Sequence, residues 1–294
     1  MNSKNYWTAA VFFIFLLFAG CSEEVPGNGE ANDVNIPELW VTSFNIRFDN
    51  PSDGSNSWDS RKENVYSFLA LKEPDIMGLQ EVLNGQLEYL EKRLPSYERI
   101  GVGRDDGLTA GEYAPILYKR DRFELIDSGH FWLSETPSVP SVGWDAVIKR
   151  ICTYVVLEDN ERNEQIHFYN THFSHVGPEA RSKSAQLIMD SIRVISDGRR
   201  VILTGDLNTR PNSSPYNIII ESGMNDSYES RIRFGPVGTY NGFDVFGPHT
   251  RRIDYIFFNG FASKKYVTSS ELIDRNYLSD HFPVSALLEY RALE

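Results

Sequence analysis

The stretch Val201-Ile202-Leu203-Thr204-Gly205-Asp206-Leu207-Asn208-Thr209-Arg210-Pro211 decides how this chain is read. Its three apolar residues, Val201 to Leu203, predict a buried strand. The backbone is expected to turn at Thr204-Gly205, and Pro211 bars regular structure from continuing. Asp206 and Asn208 then fall on the loop leaving a buried strand, where α/β proteins keep their chemistry. The ordinary alternative is a strand followed by a polar turn, because Asp, Asn and Gly are common turn residues.

The same arrangement recurs outward from this stretch. Leu39 to Ile46 predicts a strand carrying Asn45 near its end. Asp75 to Leu79 predicts a second strand that delivers Gln80-Glu81, and Ile166 to Thr171 a third with His172 at its end. Ile253 to Phe258 is a strand holding Asp254, and Pro283 to Tyr290 is a last strand after Ser279-Asp280-His281. Helices fall between the strands. Ser60 and Glu63 form a capping-box pair before the apolar face Val65, Phe68 and Leu69. A short helix spans Asn84 to Leu94 and stops at Pro95. A longer one opens at Pro178, runs Ala185, Ile188, Ile192 and Ile195 along one face, and stops at Gly198. Tyr113 to Lys119 and Phe123 to Asp127 read as a hairpin around Lys119-Arg120-Asp121-Arg122. The aromatics of Gly129-His130-Phe131-Trp132-Leu133 read as strand and core.

Composition bounds the function. The chain has 294 residues, 41% hydrophobic and 24% charged, enough for a sizeable core. Its net charge of −12 argues against a broad basic surface that grips nucleic acid through counterion release. A phosphate substrate held locally by a divalent cation stays compatible with that charge. Two cysteines, Cys21 and Cys152, cannot form a disulfide framework. Cys152 sits in an apolar stretch and reads as a small core residue.

Residues 1–21 read as a targeting segment: Lys4, the apolar run Trp7 to Phe18, then Phe18-Ala19-Gly20-Cys21. Small residues before a cysteine resemble a bacterial lipobox, which implies cleavage before Cys21 and lipidation of its thiol. A plain secretory signal with an incidental cysteine is the alternative. Residues 22–37 are polar and read as a flexible tether, and one folded domain is expected over 38–294. The implied location is the bacterial cell envelope, anchored to the outer membrane by lipid.

Taken singly, Asn45, Glu81, His172, Asp206, Asn208, Asp254, Asp280 and His281 all have structural readings. Together they contain oxygen ligands for a hard metal, two imidazoles and spare carboxylates. Metal-assisted hydrolysis of a phosphate ester needs that set: a cation on the phosphate, a base for water and an acid for the leaving oxygen.

The strings Ser43-Phe44-Asn45-Ile46-Arg47, Gly78-Leu79-Gln80-Glu81-Val82, Asn170-Thr171-His172, Gly205-Asp206-Leu207-Asn208, Arg252-Ile253-Asp254-Tyr255-Ile256 and Ser279-Asp280-His281-Phe282-Pro283-Val284 carry a resemblance. Their order resembles the endonuclease/exonuclease/phosphatase superfamily, from about residue 39 to 290. The resemblance implies a four-layer α/β sandwich: two mixed, largely antiparallel sheets face to face, helices outside, and the site at one edge. It implies Glu81 as the principal Mg²⁺ ligand, with Asn45 and Asp280 close by and Mn²⁺ or Ca²⁺ as substitutes. His281 contacts the scissile phosphate and is oriented by Asp254; His172 is the second imidazole, partnered by Glu112. Asp206 orients or deprotonates water, and Asn208 holds a phosphate oxygen.

A carboxylate beside each histidine favours the imidazolium. Arg47, Arg104 and Arg150 are candidates for phosphate or substrate contacts, with surface arginines as the alternative. His175 and Arg181 are expected at the edge of the site. The implied activity is a metal-dependent phosphoesterase, phosphodiesterase and nuclease-like first. The alternatives are a sphingomyelinase-like enzyme, a sugar- or inositol-phosphate phosphatase, and a catalytically idle lipoprotein that binds a ligand. Substrates in view are nucleic acid, nucleotide, phospholipid headgroup and sugar phosphate, acted on by a monomer.

Overall fold

The computed structural model describes residues 38–273 and 276–293. The targeting segment with Cys21, and the tether over 22–37, lie outside the described residues. No helix among the described residues is long and apolar enough to cross a membrane.

Among the described residues, thirteen strands are β1 (Glu38–Asn45), β2 (Ile76–Gln80), β3 (Tyr97–Ile100), β4 (Ile116–Lys119), β5 (Phe123–Trp132), β6 (Ile151–Asp159), β7 (Glu164–His172), β8 (Arg200–Asp206), β9 (Asn225–Asp226), β10 (Ile232–Phe234), β11 (Asp254–Asn259), β12 (Phe261–Thr268) and β13 (Val284–Tyr290). Four helices are α1 (Trp58–Lys72), α2 (Asn84–Arg93), α3 (Pro178–Ser196) and α4 (Ser214–Glu221). One sheet has the order β10-β12-β13-β1-β2-β4-β3, the other β5-β6-β7-β8-β11-β9. Parallel pairs, β1 with β2 and β7 with β8, sit among antiparallel neighbours.

Strand periodicity builds the layers. Leu39 and Val41 of β1, Ile76 of β2, Phe168 of β7, Ile202 of β8 and Ile256 of β11 meet in one core between the sheets. The opposite faces, with Phe44, Met77 and Leu79, pack under α1 and α2. Tyr169, Val201, Leu203 and Tyr255 pack under Ala185, Ile188 and Met189 of α3 and Tyr216 and Ile219 of α4. The result is helices, sheet, sheet, helices, as the resemblance implied. Cys152 is fully buried beneath the outer helices of the second sheet.

Four local expectations are corrected. The opening strand does not end at Thr204-Gly205. β8 runs on to Asp206, because it is hydrogen-bonded on both sides, to β7 and β11. Gly205 serves close approach rather than a turn: a Cβ there would lie 2.5 Å from the Thr171 carbonyl oxygen. Tyr113–Asp127 is not a hairpin. β4 pairs with β2 and β3 in one sheet, while β5 pairs with β6 in the other. The turn between them crosses the sandwich because Arg122 is drawn inward to Asp75 (3.0 Å) and Asp159 (2.8 Å). Ser60 and Glu63 are not a cap, since α1 opens at Trp58 with Ser57 before it. Glu63 instead ties α1 to α2 through Tyr89 Oη (2.8 Å) and Arg93 Nη2 (2.7 Å).

Candidate active site

Toward one end of the sandwich the inner faces change from apolar to polar without breaking strand period. On β8 the inward residues are Ile202, Thr204 and Asp206; on β7 they are Ile166, Phe168, Asn170 and His172. A buried polar layer comes first. Asn170 Oδ1 accepts from Gln80 Nε2 (2.7 Å) and Thr204 Oγ1 (3.0 Å), and its amide donates to the carbonyls of Leu79 and Pro115. This layer clamps the two sheets together so closely that a Cβ on Gly78 would stand 2.2 Å from Thr204 Oγ1. The titratable groups lie just beyond it.

Asp206 and Asp254 are paired neighbours at the ends of β8 and β11. Asp254 holds His281 Nδ1 through Oδ2 at 2.9 Å, and Thr239 Oγ1 donates to the same carboxylate. His281 Nε2 lies 3.8 Å from Asp206 Oδ2. Burial opposes charge on His281, but Asp254 and Asp206 outweigh it and hold this imidazole well above its usual pKa. Burial and the Asp254 charge push Asp206 up to about 7. The pair is therefore an imidazolium beside a carboxyl that titrates near neutrality.

His172 behaves differently, which corrects the expectation of two matched imidazoliums. Its Nε2 accepts from Asn208 Nδ2 at 3.0 Å, which puts the ring proton on Nδ1. Glu112 Oε2 stands 3.9 Å from that Nδ1, too far for a hydrogen bond, and Nδ1 has no partner. Glu112 is occupied by Arg104, whose two terminal nitrogens reach its two oxygens at 2.7 Å each. Burial, then Arg150 and Arg104, lower the His172 pKa well below its usual value. Asn208 spends its amide on His172 and the Phe173 carbonyl (3.2 Å), so it orients the imidazole and has no spare N–H for phosphate.

Glu81 and Asp280 approach from the first sheet. Glu81 Oε2 and Asp280 Oδ2 each lie 3.9 Å from Arg47 Nη1, so both carboxylates face one cationic point. Asn45 donates its amide to Glu81 Oε1 and Asp206 Oδ2, 3.0 Å each, while its Oδ1 accepts from Arg47 N–H. In this arrangement Asn45 positions carboxylates rather than offering an oxygen to a cation. Arg47, Glu81 and Asn208 all have positive φ, at 60°, 60° and 49°. Such strain costs roughly 1–3 kcal/mol per residue and concentrates where geometry serves function.

A cavity of about 500 Å³ opens over these groups, lined by Arg47, Glu81, Glu112, Arg150, His172, His175, Asp206, Asn208, Tyr240, Arg251, Asp280 and His281. Arg104 does not line it; it stands behind Glu112. Arg181 supports the edge by donating to the Ser174 carbonyl at 3.0 Å. Sequence reading missed Thr239, and Tyr240, whose ring meets His281 edge-on at 5.1 Å. Neither falls in a recognisable string, and only the fold brings them to the site. Arg251 and Arg252, just before Asp254 in sequence, do not pair with it: Arg251 lies over Tyr240, and Arg252 reaches Asp226 at 2.7 Å.

The donor set fits a hard divalent cation. One carboxylate oxygen each from Glu81 and Asp206 and one ring nitrogen of His172 come within 4.8 Å of one another, and Asp280 Oδ2 shares the Arg47 Nη1 neighbour of Glu81. Few carboxylates and room for water suit Mg²⁺. The other cluster, Asp206, Asp254 and His281, has its imidazole and Asp254 committed to each other.

Known proteins share this architecture. An endonuclease/exonuclease/phosphatase from Bacteroides vulgatus is 41% identical, with a TM-score of 0.83, covering 87% of this chain and 100% of its own. A mannosyl-6-phosphatase from Bacteroides thetaiotaomicron is 36% identical, with a TM-score of 0.82, covering 86% and 100%. Human tyrosyl-DNA phosphodiesterase 2 is 26% identical over 157 residues, 53% of this chain and 39% of the human protein. The sequence profile of the Endonuclease/Exonuclease/phosphatase family matches residues 42–281, and the chain belongs to that family.

Proposed function

We propose that this protein is a Mg²⁺-dependent phosphoester hydrolase that removes a terminal phosphate from a small polyhydroxyl compound of the sugar-phosphate class. The observation that carries this reading is the cavity: about 500 Å³, walled by Arg47, Arg150 and Arg251, in a chain whose net charge is −12. A confined pocket that sets three arginines among carboxylates, in an acidic protein, suits a compact phosphate better than a polynucleotide gripped along a broad basic surface. The likeness to the Bacteroides thetaiotaomicron mannosyl-6-phosphatase supports it. A phosphodiester substrate, the first expectation from sequence, is the second reading and is favoured by the match to tyrosyl-DNA phosphodiesterase 2.

Glu81 and Asp280 would hold a divalent cation, whose charge would offset that of the phosphate and acidify water. The chain's own groups divide the remaining work. His281, charged by Asp254, presents its Nε2–H to an oxygen of the reacting phosphate. Asp206, in its ionised form, takes the proton of the attacking water. His172, neutral and held by Asn208, offers its unpartnered Nδ1–H to substrate. Asn45 keeps Glu81 and Asp206 in register.

The test is a substrate panel on residues 22–294 with and without Mg²⁺: phosphomonoesters, sugar phosphates, DNA, RNA and sphingomyelin. Sugar phosphates are expected to be the best substrates, and Glu81→Ala or His281→Ala to abolish metal-dependent turnover. Preferential cleavage of a diester overturns the first reading in favour of the second. Tight ligand binding with no hydrolysis under any divalent cation supports an idle binding lipoprotein instead. The lipobox resemblance supports anchoring through Cys21 in the cell envelope; Cys21→Ser is expected to move the protein from the membrane to the soluble fraction.

A further inference from the structure

The cavity's cations are not equivalent. Arg47 is committed to Asp53 through two hydrogen bonds of 2.9 Å, and Arg251 is exposed and lies over Tyr240 at 4.7 Å. Arg150 differs from both. It is only 4% exposed, and among the described residues it has no ion pair with a carboxylate within 4.0 Å. Its Nη2 meets His175 Nδ1 at 3.0 Å, and Nε and Nη1 have no partner although the guanidinium lines the cavity. Since guanidinium only donates, His175 must accept there and be neutral. Glu112, Asp206 and Glu81 act on this charge only from beyond contact distance. A buried charge with no carboxylate against it is costly, so an anion arriving with the ligand completes the arrangement.

The reacting phosphate supplies a suitable anion. A terminal phosphate carries close to two negative charges above its second ionisation near pH 6, whereas a diester carries one. A cation with two unpartnered nitrogens on the cavity wall would engage the oxygen that a diester has alkylated. We propose that Arg150, held by His175, recognises the dianionic terminal phosphate and sets the preference for monoesters over diesters. This rests on the phosphoester hydrolase reading above and deepens it by naming the charge state of the substrate.

The experiment compares wild type with Arg150→Gln and Arg150→Lys, using p-nitrophenyl phosphate, bis-p-nitrophenyl phosphate, and calorimetric titration with inorganic phosphate at pH 8. Losing a hydrogen bond to a charged group corresponds to about 10- to 100-fold. Arg150→Gln is therefore expected to lower the monoester-to-diester ratio of kcat/KM by about 10-fold or more, chiefly through KM. It should weaken phosphate binding by a similar factor, and Arg150→Lys should recover part of both. Equal losses on both esters with unchanged phosphate affinity overturn the proposal. A wild type that cleaves only diesters refutes the monoester reading, and the calorimetric comparison then still decides whether Arg150 binds a phosphate dianion. Thermal unfolding of each variant separates misfolding from loss of recognition.

Discussion

Two histidines with similar sequence surroundings are given opposite characters by their neighbours. His281 has Asp254 against Nδ1 and is held as imidazolium; His172 has Asp206 3.4 Å from Nε2, but burial and two nearby arginines lower its pKa, and Asn208 donates to Nε2. This difference yields a pH prediction. Removing the Asp254 charge lowers the His281 pKa, so its proton is lost at lower pH than in wild type. Asp254→Asn is expected to shift the basic limb of kcat/KM to lower pH and to reduce kcat by about 10²- to 10⁴-fold. A pH–rate profile checks it; an unmoved basic limb would show that His281 does not act as the acid. The site's strand-end residues were legible in sequence because each borders an apolar run: Asn45, Glu81, His172 and Asp206 follow one, while Asp254 and Asp280-His281 precede one. Their protonation states were not, because those depend on burial and on charges distant in sequence: Arg150 and Arg104 for His172, Asp254 and Asp206 for His281.

The strands explain how chemistry sits on a rigid frame. β8 keeps its period through Gly205, so Asp206 is the third inward residue of a fully paired strand rather than part of a mobile loop. That makes its position stiff, which favours a preorganised base. The polar layer of Gln80, Asn170 and Thr204 needs the two sheets in close contact at Gly78. Gly78→Ala is expected to destabilise the fold by about 1–3 kcal/mol in urea unfolding, because a Cβ there overpacks a site that cannot give way. Unchanged stability would mean that the sheets can part at that point. The false hairpin over 113–127 had the right pattern for two strands. Pairing partners are not encoded in alternation, so each strand's assignment to a different sheet was invisible.

The sandwich is closed at its other end by a buried ion cluster. Arg122 joins Asp75 before β2 to Asp159 at the end of β6, and also donates to the Glu38 carbonyl at 3.1 Å. Tyr290 of β13 donates to the same Asp159. Glu38 begins the strand that ends at Asn45, so this clamp stands roughly 20–25 Å from the site. Arg122→Ala leaves the fully buried Asp159 without its cation, while Asp75 keeps Lys119 at 2.9 Å, and is expected to cost about 3–5 kcal/mol of folding stability. Urea midpoints measure the loss; kcat of the folded fraction is expected to stay near wild type, because no catalytic group touches Arg122. A large fall in kcat at full folding would tie the two ends of the molecule together.

Sequence determined most of the strands, three of the four described helices, the family, and the set of carboxylates and imidazoles, since alternation, helical spacing and short motifs are local properties of the chain; β3, β6, β9, β10, β12 and α4 were not read individually. It also made Cys152 a core residue and kept the net charge acidic. Only the tertiary structure decided which groups meet. Folding placed Glu112 on Arg104 instead of His172, turned Asn208 and Asn45 into positioning groups, and left Arg150 buried with two nitrogens unpartnered. These outcomes depend on distances between side chains far apart in sequence, and on burial, which changes the cost of every charge it encloses.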